Sequence, residues 1–579
     1  MMTGSELIQK IQDLTMNAKH HQLETLHSIL LHNSSSHYLQ SFSNNNTPLD
    51  PSTFTTLVPL SSYEDYLDFI QQMADHHPTN HHPLLSVDPL LCFFYSSGTT
   101  SMKPKLIPYF DSALSKSASF IAHTGSIAVL QSQFPPRPNI NKIMLFLYAD
   151  KITTTTKSGL KVMAASSYPL QSGKVSSTQL SRFSSPLQVM LGSNVDHQMY
   201  CHLLCGLRNV DVMDGISTPY AIGLIKAFGF LESKWEQLCD DLDCGYPCHE
   251  ISDLEMREGV INTVGGPQHE LSTRIRLVCA DKNWGGIVRR LFPNVRFIRC
   301  VTTGSMMQYY EKLKFYAGDV PILGGDYFAS ECCVGLNLDL TQPPETTRFV
   351  ILPTFAYFEF LPFEMNDNDE DAVHEQTVLD LCSIEVGKMY EVVVTTYRGF
   401  YRYKLGDIVR VVGFYNSAPQ VEFVMRAPKS SAEIITEKDL ILAVEKFQLA
   451  LREAMGKDSI EIVEFASFLD QEPMWKQLKV FIEVQEESEF LEEWVKVFKS
   501  CISCLESGFG ALYKVQKEKG HLGKLKIMIL RHGAFDKLLD LAIKNGTSAS
   551  QYKPPKIIRN NEVVKLLDKL ASVTISVDD

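Results

Sequence analysis

Residues 84–95 are an apolar, aromatic run of the kind that makes a buried strand, and they lead straight into Ser96-Ser97-Gly98-Thr99-Thr100, a polar turn around one glycine. After Ile107-Pro108 the segment 111–130 reads as helix. The run Pro135-Pro136-Arg137-Pro138 breaks it, and residues 143–148 form a second buried-strand pattern. Strand, helix and strand in alternation predict an α/β architecture. At 579 residues the chain has room for several such units and for a ligand-sized cleft.

Apolar residues make up 44% and charged residues 21%, which excludes wholesale disorder and fibrous repeats. Lys and Arg number 54 against 67 Asp and Glu, a formal charge of −13, so neither duplex nucleic acid nor an anionic membrane is expected as a main partner. Thirteen cysteines are an odd count and too few for a disulfide scaffold, which points to reduced thiols in a cytoplasmic protein. The first residues contain no basic stretch followed by an apolar core, and no window approaches the ~18 apolar residues of a membrane helix. We expect an intracellular protein without a cleaved leader.

Residues 5–32 carry apolar side chains at helical spacing, and 33–51 look like loop. Further strands are expected at 297–302, 348–352, 389–396, 408–414 and 420–425, and helices at 195–208, 219–240, 268–280 and 438–454. Composition changes at Arg426-Ala427-Pro428-Lys429-Ser430-Ser431, before a helix, a strand (478–484), a helix (488–506) and a strand (524–530). The expected division is a nucleotide- and acid-binding domain over 1–426, a hinge over 427–436 and a small α+β domain over 437–579.

Four stretches carry possible chemistry. The turn Ser96–Lys105 places five hydroxyls, a glycine and two lysines after a strand, where amides and hydroxyls can cradle phosphate oxygens. It lacks the Walker spacing, and a solvated Ser/Thr loop is the plain alternative. In Gly324-Gly325-Asp326-Tyr327-Phe328-Ala329-Ser330-Glu331 the glycines permit close backbone approach, an aromatic can stack on a base, and Glu331 can hold magnesium. In Gly399-Phe400-Tyr401-Arg402-Tyr403-Lys404-Leu405-Gly406-Asp407 the fixed carboxylate can accept both hydroxyls of a ribose. Near the end, Lys553 is followed by Pro554 and Pro555, a cation able to stabilise phosphate charge as a small domain closes.

The order of these motifs resembles the adenylate-forming enzymes of the firefly-luciferase and acyl-ligase superfamily. More narrowly, the chain resembles the plant Gretchen Hagen family of acyl acid amido synthetases, which join hormone carboxylic acids to amino acids. The resemblance rests on Ser96-Ser97-Gly98-Thr99-Thr100, Asn283-Trp284, Leu291-Phe292-Pro293-Asn294, Thr303-Gly304-Ser305-Met306, Tyr316-Ala317-Gly318-Asp319, Phe358-Glu359-Phe360-Leu361-Pro362, Tyr401–Asp407, Gly413-Phe414-Tyr415-Asn416 and Gln551-Tyr552-Lys553, spread over nearly the whole chain. It implies a large domain of β-sheets flanked by helices, with a β-barrel part, and a small mobile C-terminal domain. It also implies use of ATP and Mg²⁺, a carboxylic acid and an amino acid as partners, and a monomer.

The same resemblance implies residue roles. Ser96, Ser97 and Thr99 would face the phosphates, and Thr303, Asp326, Tyr327, Phe328 and Ser330 would line the nucleotide. Glu331 would ligate magnesium, Asp407 would hold the ribose, Arg426 would lie at the hinge, and Lys553 would approach the α-phosphate. The acyl-acid pocket would involve Ser117, Thr124, Ser217, Pro219, Gly325 and Cys333, and the amino-acid site Ala164, Ala165, Ser166, Ser167 and Tyr168.

Members that accept jasmonate carry His and Trp where this chain has Gly325 and Cys333, and benzoate-type members carry an Arg where it has Thr124. Ser117, Ser217, Pro219, Gly325 and Cys333 are all small, so the expected acid is at least as large as jasmonate. Two departures touch the machinery itself: Phe328-Ala329 replace the usual small residue and Ser, and the 427–436 hinge is short, with Ile434 where members often have Lys.

Other features have plain readings. Cys501 and Cys504 lie in a helical pattern and are expected to pack, and Cys201, His202, Cys205, Cys244, Cys248 and His249 lack paired zinc-finger spacing. His20, His21, His27, His32, His37, His76, His77, His81 and His82 read as solvated residues. Two other functions fit the same motifs: a regulatory binder of nucleotide or hormone, and an acyl–coenzyme A ligase.

Overall fold

The protein is represented by a computed structural model that describes residues 2–43, 48–76, 83–96, 104–149, 154–364, 377–428, 433–456, 460–472, 476–485, 492–545, 547, 549 and 552–576. Four sheets organise them. The first is parallel, in the order Lys142–Leu145, Met213–Tyr220, Phe297–Val301, Ile322–Gly324. Parallel neighbours need long crossovers, and helices such as Val195–Arg208, Ala221–Cys244, Leu254–Val264 and His269–Cys279 lie between them in sequence. Leu203, Leu224 and Val260 from those helices share one buried core with Met144, Ile216 and Ile298 of the strands.

The second sheet pairs Leu90–Tyr95 antiparallel with Leu106–Phe110 and parallel with Lys161–Ala164, and Thr154–Thr155 is its edge. The strand expected over 84–95 begins only at Leu90, after Asp88 and Pro89. Its C-terminal end, Tyr95, sits opposite Ala164.

The third sheet is antiparallel with eight strands, in the order Leu379–Asp380, Tyr357–Phe363, Met389–Thr395, Tyr403–Tyr415, Ala418–Arg426, Phe349–Ile351, Cys333–Leu336, Tyr327–Phe328. The pattern over 5–32 resolves into two helices, Gly4–Met16 and Ala18–His32. The second is pinned to this sheet by Gln22, whose amide donates to the Pro353 and Ala356 carbonyls and accepts from the Phe358 N–H.

The fourth sheet, Ile462–Asp470, Gln477–Val484, Lys526–Leu530, Ala571–Ser576, has a core on each face. Val480, Ile482, Ile527 and Ile529 face helices Glu437–Met455 and Glu492–Gly508. Phe481, Met528 and Leu530 face helices Ala534–Lys544 and Asn561–Leu570. The alternation follows from the two-residue repeat of a strand. Cys501 packs into the first of these cores, and Trp284, Phe292 and Phe358 are buried in the cores of the parallel and eight-stranded sheets. No helix among the described residues is long and apolar enough to cross a membrane.

His202 lies fully buried, its Nε2 donating to the Leu147 carbonyl at 3.3 Å and its Nδ1 accepting from Ser185 Oγ at 2.8 Å. Desolvation pushes its pKa down to about 4, so the folded ring stays neutral. Between about pH 6.5 and pH 4 an unfolded chain therefore takes up a proton that the folded one refuses, and stability falls with acidification across that window. The expected loss across that window is about 3 kcal/mol. Urea midpoints of wild type and His202→Gln at pH 7 and pH 4.5 check it; the variant should show a shallower loss.

Candidate functional site

Asp407 lies on the Tyr403–Tyr415 strand after Gly406, whose φ of +76° only glycine adopts without strain, and its register partner is Arg426 at the end of the next strand. The carboxylate is 3% exposed. Tyr327, on the far edge strand of the same sheet, donates its hydroxyl to Oδ2 at 2.6 Å. Burial and the Asp407 charge hold the Tyr327 phenol well above its ordinary pKa, so it remains a donor. Arg426 Nη1 stands 2.6 Å from Oδ1 as an ion pair, yet without the alignment of a hydrogen bond, and Oδ1 has no hydrogen-bond donor among the described residues. A buried carboxylate oxygen in that state is fitted to accept from a ligand hydroxyl. Asp407→Asn should therefore weaken binding of a ligand that offers ribose-type hydroxyls by about tenfold or more, measured by calorimetric titration with ATP as the probe.

A second chain of contacts joins the first, second and third motifs. Ser96 donates its N–H to the Lys105 carbonyl at 3.0 Å, and its Oγ accepts from the Lys105 N–H at 2.9 Å, clamping the base of the hydroxyl-rich turn. Ser97 and Thr99 of that turn lie outside the described residues. Lys105 Nζ donates to the Tyr403 hydroxyl at 3.1 Å, and that hydroxyl donates to Glu331 Oε1 at 3.3 Å. Lys105 also stands over the Tyr63 ring, 4.9 Å from its centroid. Sequence reading singled out Glu331 but not Lys105 or Tyr403 as its neighbours; two lysines in the turn were the available signal. Among the described residues no three His, Cys, Asp or Glu side chains cluster as a metal cage. A single buried carboxylate suits magnesium, which keeps phosphate oxygens and water as its remaining ligands.

Asp326 is used differently from its neighbour Tyr327. Its Oδ2 accepts from Arg299 at 2.7 Å and from Ser126 Oγ at 2.5 Å, and Oδ1 accepts from the Asn337 N–H at 3.0 Å. The carboxylate thus ties helix Ala113–Gln133 to two sheets. Phe328 is exposed and meets the His123 ring edge-on at 5.2 Å. Ser330 Oγ reaches the Tyr95 carbonyl at 3.4 Å. Thr303 stands just before the turn Gly304–Tyr309 without a side-chain capping hydrogen bond, and Gly304, at φ +61°, lies against Phe423.

Of the residues assigned to the acid pocket, Ser117 and Thr124 lie on helix Ala113–Gln133, and Ser217 and Pro219 near the end of strand Met213–Tyr220. Cys333 pairs in register with Phe328. A Cβ added at Gly325 would lie 3.0 Å from Val301 Cγ2, so its small size serves contact with the neighbouring strand. On the amino-acid side, Ala164 and Ala165 lead into a turn where the Ser166 and Ser167 hydroxyls are buried without partners. Tyr168 closes the turn edge-on against Phe94 and Tyr109, at 5.7 and 4.8 Å.

The C-terminal unit docks on the same side. Lys553 Nζ stands 4.1 Å from the centroid of Tyr220, at the end of the strand bearing Ser217 and Pro219. Glu464 accepts from Tyr309 and from Gln308, and also pairs with Lys556, which is wholly buried. Lys226 meets Asp536 at 2.9 Å. Ile434, in the expected hinge, is packed in the C-terminal core.

The chain matches the GH3 family N-terminal domain over residues 7–322, the GH3 family central domain over 349–426 and the GH3 family C-terminal domain over 443–562. It is 42% identical over 407 residues to a probable indole-3-acetic acid-amido synthetase, GH3.6, of Oryza sativa subsp. japonica, covering 68% of this chain and 82% of that protein. It is 32% identical over 580 residues to a jasmonoyl-L-amino acid synthetase, GH3.5, of the same plant, covering 97% of each. Among solved structures, a GH3.15 acyl acid amido synthetase superposes with a TM-score of 0.86 at 30% identity, covering 100% of this chain and 98% of that one. Domain order, sequence and tertiary structure agree from end to end, and on that ground this chain belongs to the GH3 family.

Proposed function

We propose that this protein is an enzyme, an acid–amino acid ligase that activates a carboxylic acid with ATP and couples it to an amino acid. In the first half-reaction a carboxylate oxygen of the acid attacks the α-phosphorus of ATP, the bond to pyrophosphate breaks, and an acyl adenylate forms. In the second the amino acid's amine attacks the acyl carbon, the bond to AMP breaks, and an amide is left as the amine loses a proton. The protein's task is positioning and charge neutralisation. Asp407 and Tyr327 hold the ribose end, while Lys105, Ser96 and the turn they clamp hold the phosphates. Magnesium, held by Glu331, would neutralise phosphate charge. Lys553 adds a cation at the α-phosphate, carried by residues 437–579 acting as a lid over 1–426.

The observation that carries this reading is the buried Asp407 oxygen without a donor, on the same strand as Tyr403 of the Glu331–Tyr403–Lys105 chain. For the acid, the small side chains at Ser117, Ser217, Pro219 and Cys333 favour a jasmonate-like molecule, with indole acids second and benzoate-type acids third. We take the protein to act as a cytoplasmic monomer. A matrix of acids against the twenty amino acids, read by mass spectrometry, tests both levels. Acid-dependent exchange of labelled pyrophosphate into ATP is the expected sign of activation, and its absence with every acid would overturn the ligase reading. Turnover of small benzoates alone would overturn the assignment of acid size.

A further inference from the structure

Arg398 sits in the turn that joins strands Met389–Thr395 and Tyr403–Tyr415, just ahead of the third motif. The turn is held in place. The Arg398 N–H donates to Thr396 Oγ1 at 3.1 Å, the Thr396 N–H donates to the Phe400 carbonyl at 2.8 Å, and Gly399, at φ +77°, is pressed against Leu85. The guanidinium lies over two rings, 5.2 Å from the Phe94 centroid and 5.3 Å from that of Tyr109, and Nη1 donates to the Ser330 carbonyl beside Glu331. Phe94 and Tyr109 are the rings on which Tyr168 of the candidate amino-acid turn rests. The charge of Arg398 also reaches Cys92, Cys332 and Cys333, where it opposes the effect of burial on the thiols.

Among the described residues no carboxylate forms an ion pair with Arg398. A half-buried, permanently charged fork among rings and thiols, with one carbonyl as its hydrogen-bond partner among the described residues, is poorly compensated there. A carboxylate supplied by a substrate would complete it in the bidentate geometry that guanidinium favours. In an amide-forming reaction the carboxylate that is adenylated and then converted to the amide loses its charge, so the group held here must be one that survives.

We propose that Arg398 binds a substrate carboxylate that takes no part in bond formation, either the α-carboxylate of the amino acid or a second carboxylate on the acid. The proposal rests on the ligase reading above and names a recognition element within the same site. Full-length protein is assayed with each productive amino acid and with its carboxamide, and with monocarboxylic and dicarboxylic acids of matched size. Wild type should show a lower KM for the carboxylate form of one of the two substrates, and the substrate that shows it identifies the source. Arg398→Gln should raise that KM about tenfold or more and abolish the preference over the uncharged form, while Arg398→Lys should restore part of it. Acid-dependent pyrophosphate exchange with a monocarboxylic acid should remain.

Wild type that does not distinguish carboxylate from carboxamide, or monoacid from diacid, overturns the proposal without recourse to a variant. So does a variant that slows all substrates and pyrophosphate exchange equally, which would mean that Arg398 only supports the Ser330-Glu331 backbone. Absence of exchange in wild type with every acid would instead be failure of the ligase reading.

Discussion

Lys553→Ala should lower acid-dependent pyrophosphate exchange by two or more decades while leaving thermal unfolding almost unchanged. The ammonium makes a cation–π contact with Tyr220 at 4.1 Å, and such a contact at a partly exposed site is worth only about 0.5–1 kcal/mol. Its backbone is held independently, because Tyr552, Pro554, Pro555 and Lys556 on both sides are buried. Removing the side chain therefore leaves the docked C-terminal unit intact and takes away a cation placed where phosphate charge redistributes. Exchange at the wild-type rate would remove Lys553 from the mechanism.

Glu464→Ala should cost about 3–5 kcal/mol of stability, the largest effect expected of any single side chain here. Lys556 is 0% exposed, and Glu464 is its buried counter-ion. Lys556 also donates to the Phe465 carbonyl at 3.2 Å, and its ammonium lies 4.3 Å from the Phe465 ring centroid. Burial pulls the Lys556 pKa down and Glu464 pulls it back up, with a smaller pull from Glu437, so deletion of Glu464 leaves a desolvated cation without its hydrogen-bonded counter-ion. The Tyr309 and Gln308 contacts to Glu464 would go as well, loosening the C-terminal unit from the turn that follows Thr303. Urea denaturation and limited proteolysis measure the two consequences. Glu464→Leu combined with Lys556→Met should recover much of the loss, since it removes both buried charges. A loss below about 1 kcal/mol in the single variant would mean the pair is solvated.

Regular elements with a clean period were legible before any coordinates. The helix expected over 195–208 is Val195–Arg208, and that expected over 438–454 is Glu437–Met455, where Thr436 and Asp439 form a capping box. Strands with broken patterns were not. Met213–Tyr220, where no strand was expected, holds Gly215, Ser217, Thr218 and Pro219, and it is a strand only because Lys142–Leu145 and Phe297–Val301 pair with it on either side. Ala571–Ser576 carries mostly polar or small residues and is a strand because it pairs with Lys526–Leu530, with helices Ala534–Lys544 and Asn561–Leu570 between them in sequence.

The site divides along the same line. Local chemistry was enough to mark a carboxylate after glycine, a tyrosine two residues after a glycine pair, a glutamate and a proline-pinned lysine, because each motif is contiguous and its residue types have few other uses. Which of them meet depended on the sheets. Tyr327 and Asp407 lie 80 residues apart and touch across one antiparallel sheet, whereas Asp326, adjacent in sequence, is drawn away by Arg299 and Ser126. Lys105 was marked in the sequence only as one of two lysines in the first motif, and Arg398 drew no notice; each acquires its place from the rings and polar groups brought to it. Periodicity and motif chemistry are properties of neighbours along the chain, and these the sequence alone determined. The pairing of distant charges, and the fate of a buried one, depend on desolvation and on partners that only the packed structure supplies.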